Sequence, residues 1–372
     1  MKFARRPHWD NGVKSLVAVL AAAAAGIVGS VLTALGDKVL GGGVPTPVVV
    51  LVGVGAAAVV FVGGLFTKPE QEPAPALSPD AAAAPDGGAV RAERVAVSSG
   101  GTGELRLFAV TRAGAVLERT YRQDHGWSDW ADRSLPDGPA HDVAATRIGS
   151  VRIDLFAADR RGRIWYRQYD LDGWQPWQTV DGTAHLGRVV RLAVASAGPR
   201  HRELWVLGDG GQVGHRWKGD GEAWSQWYDR SVADTLDVAM TVRRGEQLEV
   251  TRLKFDGRVR QRGWVNQVWE QWYDLGRPPT SLAGVAVSAL SGSREHQEVF
   301  VVDASGGISH RWRWHDDPWS DWYEMEAPGH LVDVAAGITS DGRYEVIVAD
   351  AAGQLHQRSY GKQDRWSDWR AV

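Results

Sequence analysis

The chain has 372 residues, with 42 Lys and Arg against 45 Asp and Glu, and its acids and bases are intermixed around a net charge of -3. No basic field dominates, which excludes nucleic acid as a bulk electrostatic partner. Cysteine is absent, so disulfides, zinc–thiolate centres and thiol catalysis are excluded as well.

Residues 1–14 form a basic tail carrying Lys2, Arg5, Arg6 and Lys14. Two apolar, uncharged runs follow, at 15–35 and 47–66. At about 1.5 Å per residue each is long enough, as a helix, to cross a ~30 Å hydrocarbon layer. The Gly-Asp-Lys and Gly/Pro-rich sequence between them suits a tight turn, so the two runs are expected to form a transmembrane helical hairpin. Small residues at Ala22, Gly26, Ser30 and Ala34, and at Gly53 and Ala57, would let the two helices approach closely. The positive charge before the first run places the tail in the cytoplasm, and two crossings return the rest of the chain to that side. The expected location is therefore the cell membrane, multi-pass, with the large domain facing the cytoplasm. Residues 67–92 are rich in Pro and Ala and read as a semi-extended linker.

Residues 93–372 are repetitive. A Trp-x-x-Trp pair occurs six times: Trp127/Trp130, Trp174/Trp177, Trp224/Trp227, Trp269/Trp272, Trp319/Trp322 and Trp366/Trp369. Successive pairs are 47, 50, 45, 50 and 47 residues apart, and they account for 12 of the 19 tryptophans. Each repeat also has a short Val-Ala-type segment, at 95–97, 143–145, 192–194, 238–240, 285–287 and 334–336. An alternating stretch such as Leu105–Val110 comes next, and then a turn ending in Gly114, Gly162, Gly211, Gly257, Gly306 or Gly353. Another strand-like segment leads to the Trp pair. Four short strands per unit, none able to bury both faces alone, predict an all-β, six-bladed β-propeller of four-stranded antiparallel blades. The sequence leaves open whether the last strand completes blade 1 or blade 6 simply packs on blade 1.

Five residues after each turn Gly stands an Arg: Arg119, Arg167, Arg216, Arg262, Arg311 and Arg358. Eight residues before it stand Arg106, Asp154, Glu203, Glu249, Glu298 and Glu345. A two-residue hairpin turn would set these positions opposite each other and give five blades an acid–Arg pair, whereas a three-residue turn would shift the register by one. The two tryptophans of a pair, three apart, are expected to point to opposite faces of a strand and act as core between blades. Asp142, Asp237 and Asp333 precede the Val-Ala strand in blades 2, 4 and 6, against Arg94, Arg191 and Gly284 in the odd blades. Duplication of a two-blade unit would produce that alternation.

The segment Asp154-Leu-Phe-Ala-Ala-Asp-Arg-Arg-Gly-Arg-Ile-Trp-Tyr-Arg-Gln-Tyr169, followed by Gly173-Trp-Gln-Pro-Trp177, resembles the repeat of PLL-type, fucose-binding lectin propellers of bacteria and the wider tectonin-like group. The resemblance covers residues 93–372 and implies a lectin-like module binding simple sugars, such as fucose-like ones, between neighbouring blades. The membrane anchor departs from that family. Aromatics near the end of the third strand suit a sugar site, which needs a flat apolar platform beside a few polar groups. The candidate carbohydrate-binding residues are Tyr121, Tyr169, His215, Arg216, Trp217, Trp264, His310, Arg311, Trp312 and Tyr360, with Trp314 beside them. Blade-edge packing is the competing role for all of them. A protein-interaction platform is the alternative function, with a protein partner in place of glycans.

No enzyme signature is present: there is no His-Glu-x-x-His, Gly-x-Ser-x-Gly or phosphate-binding loop. Asp170/Asp172 and Asp316/Asp317 read as solvated loop residues. No catalytic residue, metal site or cofactor is expected.

Overall fold

The structure is a computed structural model that describes residues 90–99, 104–198, 201–229, 233–243, 247–279, 284–291, 296–339, 341–361 and 365–372. The basic tail, the two apolar runs and nearly all of the linker lie outside these residues. Among the described residues no helix is long and apolar enough to cross a membrane.

Six antiparallel sheets follow one another along the chain as blades 1 to 6. Their inner strands are Ala92–Ser99, Ala140–Ile148, Val189–Ser196, Thr235–Arg243, Gly284–Ser291 and Leu331–Ile338. Second strands (for example Arg202–Gly208) and third strands (Val213–Lys218) pair outward in order. Every blade ends in a short outer strand that begins beside or just after the Trp pair. The inner strands pack side by side around one axis, and buried Val, Leu, Ile, Ala and Phe from successive blades form the clusters between them. Burial of this apolar surface, worth about 25 cal/mol per Å2, is what a single blade could not achieve.

The second and third strands are joined by a three-residue turn in all six blades. In blade 1 the Thr111 N–H bonds the Ala115 carbonyl at 2.9 Å, and Gly114 has φ +90°. This is the glycine-bulge hairpin, and it shifts the register by one. Arg106 therefore faces Thr120, Asp154 faces Gln168 and Glu203 faces Trp217. Glu249, Glu298 and Glu345 face Gly263, Trp312 and Ser359. The acid–Arg cross-strand pairs expected from a two-residue turn are not formed. Glycine is required at the turn for a second reason: a Cβ on Gly353 would lie 2.7 Å from the Arg91 Cα, and one on Gly162 would lie 2.8 Å from the Arg188 Cα. The turns of blades 1, 2, 3, 5 and 6 are pressed in this way against the chain entering the next blade.

That contact also answers how the ring closes. Blade 6 has its own outer strand, Arg370–Ala371, and blade 1 has its own, so no strand is exchanged. Ala92 N–H bonds the Gly353 carbonyl at 2.8 Å, just as Ala140 N–H bonds Gly114 at 2.9 Å and Leu331 N–H bonds Gly306 at 3.1 Å. The 6/1 seam uses the same bond as seams 1/2 and 5/6 inside the chain.

Candidate functional site

The third strand sends alternate side chains to opposite faces of its blade, and this divides the repeat chemistry in two. On the face toward the preceding blade, the Arg five residues after the turn Gly lies over the Trp pair. The guanidinium carbon is 5.4 and 5.0 Å from the rings of Trp127 and Trp130 in blade 1, and 4.9 and 5.2 Å from those of Trp174 and Trp177 in blade 2. Arg216, Arg262 and Arg311 are placed alike between both rings of their pairs, and Arg358 lies over Trp369. Both tryptophans of a pair therefore lie on one face, contrary to the strand-parity expectation. The reason is that the segment between them is not extended. Its first residue makes one bond back to the third strand (Ser128 N–H to Thr120 O, 2.8 Å), after which the chain bulges and returns the second ring to the same side. The second Trp also donates its Nε1–H to a carbonyl of the preceding blade: Trp177 to Ser134 at 3.1 Å, Trp227 to Asp181 at 2.8 Å and Trp322 to Leu275 at 2.9 Å. The pairs bond one blade to the next, as expected of inter-blade core.

On the opposite face the residue eight before the turn Gly forms the floor of a cleft against the next blade, and here the blades differ. In cleft 1/2 Arg106 pairs with Glu118 at 2.7 Å and lies 4.1 Å over the Tyr169 ring, while Trp174 and Arg133 also donate to Glu118. In cleft 2/3 the fully buried Arg202 donates to Asp154 at 3.0 Å. In cleft 4/5 Glu249 takes Gln261, Gln297 and Arg313, and in cleft 6/1 Glu345 takes Gln357 and Ser359. Burial pushes the carboxyls of Glu249 and Glu345 up.

Clefts 3/4 and 5/6 are two copies of one arrangement. Glu203 accepts from His201 Nε2 at 2.9 Å and from His215 Nδ1, and Glu298 accepts from His296 Nε2 at 2.9 Å and from His310 Nδ1. Burial opposes ionisation of Glu203, yet the bonds from His201 and His215 hold its carboxyl below the ordinary value. An ionised carboxylate only accepts, so His201 and His215 each donate to Glu203 through the nitrogen facing it. Beside each cluster two aromatic rings stack at the blade's rim: Trp217 on Tyr228 at 4.8 Å, and Trp312 on Tyr323 at 5.0 Å. The next blade closes the cleft with another ring, Trp264 stacked on His201 at 4.4 Å and Tyr344 stacked on His296 at 4.5 Å.

The structure thus sorts the candidate residues. Trp217, Trp264, Trp312 and Tyr360 are half-buried beside the two His–Glu clusters, and Tyr169 is half-buried in cleft 1/2. Trp314 lies against His296. His215 and His310 are cleft floor, buried under those rings. Arg216 and Arg311 point to the other face, clamped by their Trp pairs, because neighbours on a strand alternate sides. Tyr121 is buried against Trp127 in the 6/1 core. Asp170 and Asp172 lie in a hairpin loop, where the Asp170 carboxylate takes the Asp172 N–H at 2.9 Å. Six participants were not read from the sequence: His201, Glu203, His296, Glu298 and the rim Tyr228 and Tyr323. A signal existed, since each member of the second cluster lies 95 residues after its counterpart in the first. The two-blade spacing is therefore present at the second, third and outer strands as well as at the inner strand.

At the axis the inner-strand register revises one alignment. Leu192 N–H bonds Asp142 at 2.7 Å, Val95 N–H bonds Asp333 at 2.7 Å and Val287 N–H bonds Asp237 at 2.8 Å. Val287, not Val285, is therefore equivalent to Val95, and Ala286 rather than Gly284 occupies the position of Arg94 and Arg191. A slip of two residues preserves strand parity, which is why Val285 and Val287 look alike in sequence. The ring reads Arg94, Asp142, Arg191, Asp237, Ala286, Asp333. Farther along the axis the same strands line a cavity of about 230 Å3 with Ser98, Ser99, Thr146, Ser196 and Thr241 among its walls. Among the described residues no group of three His, Asp or Glu is placed to hold a metal ion.

No protein-family model and no curated protein matches the chain. Solved structures do. The BP39L lectin from Burkholderia pseudomallei is similar at TM-score 0.58 and 17% identity, over 76% of this chain and 99% of that one. Aleuria aurantia lectin in complex with Fucalpha1-6GlcNAc is similar at TM-score 0.57 and 13% identity, over 76% and 97%. AofleA from Arthrobotrys oligospora is similar at TM-score 0.59 and 13% identity, over 76% and 87%. Another structure of the Aleuria protein is described as a six-bladed β-propeller with a fucose recognition mode. At these identities the likeness is one of fold, and it establishes the six-bladed propeller.

Proposed function

We propose that the propeller is a lectin-like carbohydrate-binding module, held to a membrane by the 15–35 and 47–66 hairpin, with clefts 3/4 and 5/6 as its sugar sites. The observation that carries this reading is the duplicated constellation: a buried Glu fixed by two imidazoles, beside a stacked Trp–Tyr pair at the rim. A pyranose needs an apolar platform for its C–H face and a few fixed donors and acceptors for its hydroxyls. Trp217/Tyr228 and Trp312/Tyr323 supply the platform, and the His–Glu clusters supply oriented polar atoms. The fold shared with fucose-binding propellers supports a fucose-like sugar as the ligand class. Two weak sites on a module fixed in a membrane would gain by avidity what each lacks in contact area. Calorimetric titration of the full chain with methyl α-L-fucoside, together with a glycan array, tests this. Binding at two sites per chain, lost stepwise in Trp217→Ala and Trp312→Ala, is the expected result, and no binding to any glycan overturns it.

The charge bias around the first apolar run favours a second reading, a protein-interaction platform on the cytoplasmic face. A reporter fused to the C-terminus separates the two: a cytoplasmic signal supports the platform, and an external one supports the lectin.

A further inference from the structure

Six inner strands bring six side chains to one level around the axis, in the order Arg94, Asp142, Arg191, Asp237, Ala286, Asp333. Base and acid alternate except at blade 5, where Ala286 stands in the place of a third arginine. The three carboxylates are buried, and each accepts the N–H of the next odd blade's inner strand, from Leu192, Val287 and Val95. Two guanidinium groups serve them. Arg94 lies 3.9 Å from Asp142 and 3.6 Å from Asp333, and Arg191 lies 3.3 Å from Asp237. Three anions facing two cations leave one buried negative charge uncompensated, and such a charge is costly unless a proton neutralises it.

We propose that this ring is a pH-sensitive lock on closure of the propeller, in which protonation of an aspartate takes the place of the third arginine. The inner seams are then tightest below neutral pH and loosen above it.

The groups facing the ring can be named strand by strand. Blade 1 presents Arg94, blade 2 presents Asp142 and the adjacent His141, blade 3 Arg191, blade 4 Asp237 and blade 6 Asp333. The inner strand of blade 5, Gly284–Ser291, carries no ionisable residue. Burial pushes the Asp142 carboxyl up to about 7 and that of Asp237 up to about 6, against the pull of Arg191 and Arg94, and it raises Asp333 as well. A folded state that holds more protons than the unfolded chain loses stability as pH rises, here from the ordinary aspartate range up to about 7. His141 acts in the opposite sense. Burial, and then Arg191, Arg188 and Arg94, push its imidazole down, so it makes stability rise with pH and cannot produce the fall.

The test follows the thermal midpoint of the full chain by tryptophan fluorescence from about pH 5 to about pH 8. The native chain is expected to lose on the order of 5 °C across this range. Asp142→Asn keeps a carbonyl oxygen for the Leu192 N–H but removes the titration, and it should abolish most of that fall. Ala286→Arg supplies the missing charge and should flatten the profile in the same way, while Asp170→Asn, in an exposed loop, should leave it unchanged. Buried Glu249 and Glu345 contribute a background common to all four proteins, so the difference between native and Asp142→Asn is decisive. A fall of the same size in Asp142→Asn overturns the proposal, and that variant decides the matter even if Ala286→Arg fails to fold.

Discussion

The Arg–Trp clamp and the cleft floor lie on opposite faces of the same blades, yet they vary in opposite ways around the ring. The clamp recurs in all six blades as a guanidinium over one or both tryptophans of its blade's pair, and Trp177, Trp227, Trp322 and Trp369 each donate Nε1–H to the preceding blade. The floor changes from Arg–Glu in cleft 1/2 to Arg–Asp in 2/3 and to His–Glu–His in 3/4 and 5/6. A feature that every seam must share is maintained by geometry alone. A feature free to differ, and then repeated in only two places with the same atoms, is the better pointer to a ligand. The clamp holds the ring together, and the floor gives each cleft its own chemistry.

Five substitutions would break or sharpen that division. The largest loss is expected from Asp154→Ala, which strands the buried Arg202 without its carboxylate; removing one member of such a pair costs about 3–5 kcal/mol. Equilibrium denaturation measures it, and a loss near zero would mean that the floor of cleft 2/3 is not structural. Trp177→Ala removes a half-buried indole, its bond to Ser134 and half of the Arg167 clamp, at about 2–4 kcal/mol by the same measurement. A comparable loss from Trp227→Ala in blade 3 would confirm that the clamp is equivalent between blades. Gly353→Ala meets both a φ of +84° and the Arg91 backbone, and it is expected to cost about 1–3 kcal/mol and to loosen the 6/1 seam first. Hydrogen exchange at the Ala92 amide reads that loosening directly. Trp312→Ala should change stability least, by about 1 kcal/mol or less, yet weaken glycan binding at cleft 5/6 more than about tenfold. If Trp312→Ala instead destabilises as much as Trp177→Ala and leaves binding intact, the rim aromatics are packing and the division fails.

Much of the propeller was legible in the sequence because its repeats are spaced by turn chemistry and by tryptophan, both readable without a partner strand. Blade count, strand order and the inter-blade role of Trp127 through Trp369 followed from that spacing. Features that depend on a single residue of register did not. The acid–Arg pairing failed because Gly114 and its equivalents close a three-residue turn, and the parity argument for Trp127/Trp130 failed because the chain bulges at Ser128. Ala286 was hidden by a two-residue slip that leaves the strand's alternation unchanged. The candidate site was half legible. Trp217 and Trp312 were visible as third-strand aromatics, whereas Glu203 and Glu298 looked like every other acid at that position until the flanking His201 and His296 showed where they differ.

The equivalence of the six seams has a topological consequence. Each blade supplies all its own strands, and the Ala92–Gly353 contact reproduces Ala140–Gly114, so the ring has no built-in beginning. Joining the end near Val372 to the chain near Arg91 and opening the loop between any two blades should yield a circular permutant with the same set of contacts. The order in which the blades are synthesised would change, and the finished ring would not.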